Sequence, residues 1–127
     1  MVDIHAYGNR ILFPWCARAH ATQDLRVHRQ AAEEMAKAIF KATKVQYTFG
    51  ATYQMVYPAT GTFLDWAYSN GVSHSYVIET TDKGQFGFLV PSETIEETGK
   101  ELFTAIRYLT KIITPISIQK SRNRTWF

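Results

Sequence analysis

Residues 72–82 decide the fold class, and they read Val-Ser-His-Ser-Tyr-Val-Ile-Glu-Thr-Thr-Asp. The stretch first alternates and then becomes uniformly apolar at residues 76–78, as is typical of a strand buried on both faces. We therefore predict a buried strand over residues 72–80 and a turn at residues 82–84. Glu79 follows the apolar run near the end of this strand and precedes the turn.

The segments on either side alternate between extended and helical patterns. The predicted extended segments are residues 3–13, with a turn signal at Gly8-Asn9, and residues 52–56. The predicted helices are residues 24–43, 63–69 and 94–114, the last ended by Thr114-Pro115. Strands separated by helices predict an α/β architecture with at least partly parallel pairing.

Local signals refine the two long helices. Asp24 is expected to cap the first helix, and Met35 and Phe40 are expected to lie in its core. Thr94 with Glu97 three residues later is the pattern of a capping box at the start of the last helix.

The composition excludes several classes of protein. The chain has 127 residues, of which 46% are hydrophobic and 20% charged, as in an ordinary single globular domain. No apolar run approaches the ~20 residues that span a bilayer, and no signal peptide pattern follows Met1. The single cysteine, Cys16, excludes an internal disulfide and a multi-cysteine zinc site.

The net charge of the chain is +3, and part of the positive excess comes from Lys120, Arg122 and Arg124 near the C-terminus. A basic tail is a weak indication of nucleic acid or another acidic partner. A solvated terminus is the favoured interpretation, because no basic stripe interleaved with aromatic residues accompanies it.

Glu79 is the first candidate for chemistry. Ligands collect at the carboxyl ends of strands in open α/β sheets, and a carboxylate there is costly to bury unless it is paired or solvated in a cleft. A general base and a carboxylate in a surface ion pair fit this local pattern equally well.

His5, Tyr7 and Tyr57 are further candidates. His5 and Tyr7 are two residues apart and face the same side of a regular strand, whereas Tyr57 lies on a loop rich in proline and glycine. Taken singly, a hydrogen-bonded histidine and a packed tyrosine are the more common outcomes. The four histidines show no metal-ligand spacing to one another.

Three runs of residues together resemble the zinc metallocarboxypeptidases of the A/B digestive type. The runs are Asp3-Ile4-His5-Ala6-Tyr7 with Leu12-Phe13-Pro14, Tyr57-Pro58-Ala59-Thr60-Gly61 with Asp65-Trp66-Ala67-Tyr68, and Glu79 with Asp82, Gly84, Phe86-Gly87-Phe88 and Pro91. They come in the order and at the spacing of the family, and a terminal helix follows them. The resemblance extends to about Ile113, and the segment after Pro115 has no counterpart in it.

The resemblance implies a role for each matching residue. His5 matches a zinc ligand, Tyr7 lines the substrate cleft, Tyr57 closes over the substrate carboxylate, and Glu79 matches the catalytic glutamate. The implied reaction is zinc-assisted hydrolysis, in which Glu79 takes a proton from a metal-bound water and returns it to the leaving amine. Leu64 stands at the base of the pocket for the C-terminal side chain, where an apolar residue implies an A-type preference for aromatic and aliphatic C-termini. The alternative is that Leu64 is simply core on a short helix.

Parts of the family pattern are missing. No His-x-x-Glu motif with the other two zinc ligands is found in the sequence, and neither are the arginines that bind the substrate carboxylate. Thr62 replaces a common second glycine of the tyrosine loop, and Thr81 replaces a basic residue that often follows the glutamate.

We therefore expect the C-terminal portion of a mixed-sheet α/β carboxypeptidase domain over residues 1–113, with helices packed on the sheet, and a basic tail over residues 114–127. The expected product is an incomplete fragment with a partial zinc site, inactive on its own. The resemblance implies secretion and peptide or protein C-termini as partners, with no nucleic acid and no membrane. A non-catalytic relic or a basic binding module is the alternative.

Overall fold

The computed structural model describes residues 1–82 and 84–122. Four strands lie at β1 (Val2–Ala6), β2 (Arg10–Phe13), β3 (Thr48–Ala51) and β4 (Tyr76–Thr80). Four helices lie at α1 (Leu25–Thr43), α2 (Thr52–Met55), α3 (Phe63–Ser69) and α4 (Ile95–Arg122), with a 3-10 turn at Ser92–Thr94 before the last helix. Lys83 of the predicted turn and Arg124 of the predicted basic tail lie outside the described residues.

The strands form one mixed sheet in the order β1-β4-β2-β3. β1 pairs with β4 and β2 pairs with β3 in parallel, whereas β2 and β4 are antiparallel. The predicted α/β class with partly parallel pairing is therefore confirmed. β4 is an inner strand, and its residues Tyr76 and Ile78 are fully buried, as the apolar run predicted.

The two faces of the sheet carry different structures. Helices α1 and α4 cover one face, where Ile11, Ile78, Met35 and Leu109 belong to the main core. The other face has a smaller apolar cluster, made by Leu12, Leu64 and Val77. The candidate functional residues lie beside this smaller cluster.

Some predicted boundaries were wrong. The strand predicted at residues 52–56 lies instead at Thr48–Ala51, and Thr52–Met55 forms a helical turn. The Thr52 hydroxyl donates to the carbonyl of Phe13 at 3.1 Å, which ties this turn to the end of β2. β4 begins at Tyr76 rather than at residue 72, because Val72 still donates its N–H to Ala67 in the turn that closes α3.

The predicted helix caps and one predicted core position were also wrong. The Asp24 side chain makes no capping bond and accepts a hydrogen bond from the Tyr68 hydroxyl at 2.9 Å. Thr94 donates to the carbonyl of Pro91 at 2.8 Å within the 3-10 turn, which replaces the capping box. Phe40 is 51% exposed, whereas Met35 is buried as expected.

The last helix does not end at Thr114-Pro115 but continues to Arg122. A proline lacks the N–H that would bond four residues back, but one missing bond did not stop this long helix. No helix within residues 1–82 and 84–122 has the length and apolar character needed to cross a membrane.

Candidate active site

A row of side chains crosses one face of the sheet at the carboxyl ends of β1 and β4. His5 on β1 is the register partner of Glu79 on β4, and Arg10 on β2 is the partner of Glu79 on its other side. Thr48 on β3 continues the row beside Arg10. Because register partners on neighbouring strands point to the same face, the fold aligns an imidazole, a carboxylate and a guanidinium across three strands.

Glu79 has the electrostatic environment of a proton acceptor. Its side chain is half-buried, and burial raises its pKa, while the positive charges of His5 and Arg10 oppose that rise. Among the described residues Glu79 forms no ion pair. The ion-pair alternative for this carboxylate therefore finds no partner in the described part of the chain, and a carboxylate with a raised pKa is suited to general-base work.

His5 lies on an edge strand and remains half-exposed. Its Nε2 atom is 3.1 Å from Oδ2 of Asp3, two residues earlier on the same strand. Within residues 1–82 and 84–122, no group of three or more histidine, cysteine or acidic side chains is arranged to hold a metal. A catalytic zinc takes three protein ligands, so these residues do not form a zinc site on their own.

An apolar cavity of about 390 Å³, here called the Leu64 pocket, opens beside Glu79. Leu64 and Val77 line it and are 2% and 8% exposed. His5, Tyr57 and Glu79 also line it, and further polar groups come from Asp3, Thr52 and Thr62. The structure thus brings four of the sequence-predicted site residues, His5, Tyr57, Leu64 and Glu79, to one cavity.

The position of Leu64 is set by the way α3 is anchored. Thr62 caps this helix by accepting from the N–H of Asp65 at 3.3 Å. The Asp65 carboxylate accepts from the N–H groups of Cys16 at 2.8 Å and Ala17 at 2.9 Å, which ties the helix to the segment after β2. These bonds hold Leu64 against Leu12 at the base of the pocket.

A second, more polar cavity of about 710 Å³, here called the Tyr7 pocket, shares Tyr57 and Glu79 with the first. Tyr7 lines it together with Arg10 and Phe88. The rings of Tyr7 and Phe88 meet edge to face with their centroids 5.0 Å apart. Tyr7 therefore lies in the adjoining cavity and not among the residues that line the Leu64 pocket.

Asp82 shapes the loop that carries Phe88. Its carboxylate accepts hydrogen bonds from the N–H groups of Gln85 at 2.6 Å, Gly87 at 3.1 Å and Phe86. Burial alone would raise the pKa of Asp82, but the backbone N–H donors of the loop outweigh it and lower that pKa. The loop in turn packs on Tyr7, since a Cβ at Gly87 would lie 3.5 Å from the ring.

Tyr57 lies where the two pockets meet. It is 65% exposed, and its hydroxyl has no hydrogen-bond partner among the described residues. Its carbonyl oxygen is 4.0 Å from the Cys16 sulfur. Two residues later in the loop, the N–H of Ala59 donates to the Cys16 carbonyl at 3.3 Å. The backbone of the loop is therefore held while the phenol reaches into solvent.

Sequence reasoning assigned no role to Arg10, Asp82 or Phe88. Asp82 and Phe88 belonged to a run that carried the family resemblance, so a signal for them was present. The sequence carried no signal for Arg10, because only the register of β2 against β4 brings this residue next to Glu79.

The sheet, the carboxylate at the strand end and the two adjoining pockets define a candidate site, and comparison with known proteins specifies the family. The family model described as zinc carboxypeptidase, Peptidase_M14, matches residues 1–105. The chain belongs to the zinc carboxypeptidase family. The resemblance found in the sequence and the expected carboxypeptidase fold are thereby confirmed.

Individual relatives agree with this assignment. The chain is 30% identical to human carboxypeptidase A5 over 107 residues, which cover 84% of this chain and 24% of that protein. It is 31% identical to bovine carboxypeptidase B over 112 residues, which cover 88% of this chain and 27% of that protein. The chain thus spans about a quarter of the length of the curated relatives it matches.

A solved structure supports the fold. The structure of bovine thrombin-activatable fibrinolysis inhibitor in complex with tick carboxypeptidase inhibitor matches with a TM-score of 0.86 and 28% identity. The match covers 90% of this chain and 39% of that chain.

Proposed function

We propose that this chain supplies the general base and the substrate-binding walls of a zinc carboxypeptidase site that removes C-terminal residues from peptides. The observation that carries the proposal is the position of Glu79, which lines the apolar Leu64 pocket next to His5. A C-terminal side chain in this pocket brings the last peptide bond to the carboxylate.

Glu79 acts as the proton acceptor. It takes a proton from the water that attacks the scissile carbonyl and passes it to the nitrogen of the departing residue. A carboxylate whose pKa burial has raised is a better base at neutral pH than an exposed one. Tyr57, exposed and without a hydrogen-bond partner in the described part of the chain, donates its hydroxyl to the substrate carboxylate.

We propose His5 as one ligand of the zinc that the family requires. Because the described residues do not complete a three-ligand site, the 127-residue chain is proposed to be inactive alone and to keep no stoichiometric zinc after dialysis. Elemental analysis that finds about one tightly held zinc per chain would contradict this. A non-catalytic peptide-binding relic is the second candidate, and the incomplete ligand set favours it.

The C-terminal side chain is proposed to be apolar or aromatic. Leu64 and Val77 present an apolar surface at the base of the pocket, and neither could offset the desolvation of a cationic side chain. Burying about half of a phenylalanine side chain is worth about 1–2 kcal/mol. This corresponds to roughly five- to thirtyfold tighter binding.

The remaining proposals concern the domain boundary, the partners and the location. Residues 1–113 are proposed as the carboxypeptidase portion and residues 114–127 as a basic tail. The proposed partners are peptide or protein C-termini rather than nucleic acid or membrane, and the proposed location is extracellular.

Titration of the isotope-labelled chain with short N-acetylated peptides tests the proposal. Acetyl-Gly-Gly-Phe is expected to shift amide signals around the Leu64 pocket. Acetyl-Gly-Gly-Arg is expected to bind more weakly, and the C-terminal amide of the phenylalanine peptide is expected to lose most of its affinity. Equal binding of the acid and the amide would refute the proposal.

Variants of Leu64 test the specificity. Leu64→Asp is expected to shift the preference toward Arg, whereas Leu64→Met is the volume-matched control that keeps the Phe preference. If Leu64→Asp does not fold, Leu64→Ala serves in its place and is expected to weaken only the Phe peptide. Added zinc and a blocked dipeptide ending in Phe test activity, and hydrolysis that Glu79→Gln abolishes would show that the chain is an enzyme by itself.

A further inference from the structure

We propose that the Tyr7 pocket is a subsite for an acidic side chain of the peptide, with Arg10 as the residue that determines this specificity. The inference rests on the proposed function and names a substrate class within it: peptides that carry Asp or Glu shortly before their C-terminal residue.

The arrangement of the two pockets indicates which part of a peptide reaches Arg10. Glu79 and Tyr57 line both cavities and therefore mark the boundary between them. With the C-terminal side chain in the Leu64 pocket and the scissile bond at Glu79, the preceding residues continue into the Tyr7 pocket. The wall they meet there includes Arg10, Gln46 and Thr48.

Arg10 makes no ion pair within the described residues, although its charge acts on the neighbouring Glu79. Arg10 is half-buried. The register places it between Glu79 and Thr48 on the sheet. A planar guanidinium with free N–H groups is well suited to bind a carboxylate.

The turn before β2 leaves room for this guanidinium. A Cβ at Gly8 would lie 3.2 Å from Nη1 and 3.3 Å from Cζ of Arg10, so the cation lies directly over the bare glycine backbone. A side chain at position 8 would compete with Arg10 for this space. The glycine therefore lets Arg10 lie along the pocket wall.

Asn9 gives an independent indication that the wall receives a polar ligand. It lines the Tyr7 pocket, is 4% exposed, and its Oδ1 atom is buried without a hydrogen-bond partner. Buried polar atoms are nearly always paired. A peptide N–H in the pocket would pair with this oxygen while the acidic side chain pairs with Arg10.

The Glu79 carboxylate repels an acidic ligand in the Tyr7 pocket. It lines the same pocket, but the row across the sheet sets Arg10 between Glu79 and the Thr48 side of the cavity. An acidic side chain is therefore proposed to reach the guanidinium from the Thr48 side of the pocket. The expected gain is that of a partly exposed ion pair, about two- to fivefold in affinity.

The test compares three peptides that differ in the two residues before Phe: acetyl-Glu-Glu-Phe, the isosteric but uncharged acetyl-Gln-Gln-Phe, and the positively charged acetyl-Lys-Lys-Phe. Dissociation constants are measured on the 127-residue chain by amide-shift titration at low and at high salt. The Glu peptide is expected to bind about two- to fivefold more tightly than the Gln peptide at low salt, with a smaller difference at high salt.

Variants identify the residue. Arg10→Gln is expected to abolish the preference, Arg10→Lys to keep part of it, and Arg10→Glu to favour the Lys peptide. Arg18→Gln is the matched control, because Arg18 lies over the Trp15 ring at 4.6 Å and is not among the residues that line the Tyr7 pocket. The amide spectrum of each variant establishes whether it is folded. If Arg10→Gln does not fold, the result for Arg10→Lys decides the outcome.

The outcomes separate the two hypotheses. Equal affinity for the Glu and Gln peptides, or a preference that survives the loss of Arg10, refutes the subsite. Binding that ignores whether the C-terminus is an acid or an amide refutes the proposed function, even if Arg10 still selects acidic peptides. Failure of every peptide to bind refutes both.

Discussion

The substitution Tyr47→Phe tests a buried polar cluster that joins three parts of the fold. Tyr47 precedes β3, Glu101 lies on α4 and Thr81 follows β4. The Tyr47 and Thr81 hydroxyls donate to the same oxygen of Glu101, Oε2, at 2.7 Å and 2.8 Å. Tyr47 is 5% exposed and Glu101 is 1% exposed.

The expected loss follows from what the substitution removes. Phenylalanine keeps the ring and leaves no large cavity, so the change is confined to one hydrogen bond. A hydrogen bond to a charged group contributes about 1.5–3 kcal/mol, and Glu101 would keep Thr81 as its one remaining donor of the pair. We expect the free energy of unfolding to fall by about 2 kcal/mol, or roughly 1 M in the urea midpoint.

The effect has a defined pH dependence. Burial, followed by the hydrogen bond to Glu101, raises the pKa of Tyr47 above its ordinary value. The folded chain therefore favours the neutral phenol, which stabilises it at pH values below the unfolded pKa of about 10. This stabilisation is lost as the pH rises, so the difference between the original chain and Tyr47→Phe should shrink above pH 10.

Urea denaturation at pH 7.5 and at pH 10.5 measures both effects. Tyr57→Phe is the matched control, because the Tyr57 hydroxyl has no hydrogen-bond partner among the described residues, and its stability should stay within ±0.5 kcal/mol. If Tyr47→Phe is as stable as Tyr57→Phe at neutral pH, the cluster contributes nothing and the reasoning is wrong.

Three further predictions concern His28, Asp82 and Cys16. Burial lowers the pKa of His28, so the folded chain favours its neutral form, and unfolding free energy should fall below about pH 6.5 by at most about 1.4 kcal/mol per pH unit. Urea titrations from pH 7.5 to 5 test this, and a His28→Gln variant with an undiminished slope would contradict it. Asp82→Ala removes the acceptor of three loop N–H groups, so amide exchange at residues 85–87 should accelerate, whereas unchanged protection would refute the role of this carboxylate. Cys16 is 4% exposed and burial raises its thiol pKa, so iodoacetamide should modify it at least about tenfold more slowly than an unstructured cysteine peptide; equal rates would count against its burial.

The elements with strong local periodicity were predictable from the sequence. Helix α1 begins within one residue of its predicted start. Residues 31–38 within it are rich in alanine, glutamate and lysine, which favour a helix. The apolar run at residues 76–78 located β4, and with it the strand end that carries Glu79.

Elements decided by tertiary contacts were not predictable. The β-branched and aromatic residues at 52–56 favour a strand, but the chain folds back there over Gly50, where a Cβ would lie 2.7 Å from Met55. In the same way, the sequence does not show that Glu101 is buried, because its two donors are Tyr47 and Thr81, distant in the chain.

The candidate site follows the same division. The residues that carried the family resemblance were found from sequence, since short motifs survive without knowledge of the fold. Arg10 was not found, because its proximity to Glu79 depends on an antiparallel register between strands separated by more than 60 residues. Residues of this kind are the ones that a structure adds to a motif.

The alternation of β4 explains how five residues serve both a core and a site. Tyr76 and Ile78 point to the face covered by α1 and α4, whereas Val77 and Glu79 point to the opposite face. Residues two apart on a strand are separated by about 6.6 Å, so the apolar base of the Leu64 pocket and its carboxylate are adjacent on one strand.

A one-residue shift in the register of β4 would exchange its two faces, placing Glu79 in the helix-covered core and Ile78 in the pocket. The pairing of β4 with both β1 and β2 opposes such a shift, and the same pairing brings His5 and Arg10 to the two sides of Glu79. The interactions that hold the strand in register therefore also assemble the charged row, so a variant that loosens β4 should lose peptide binding before it loses its helices.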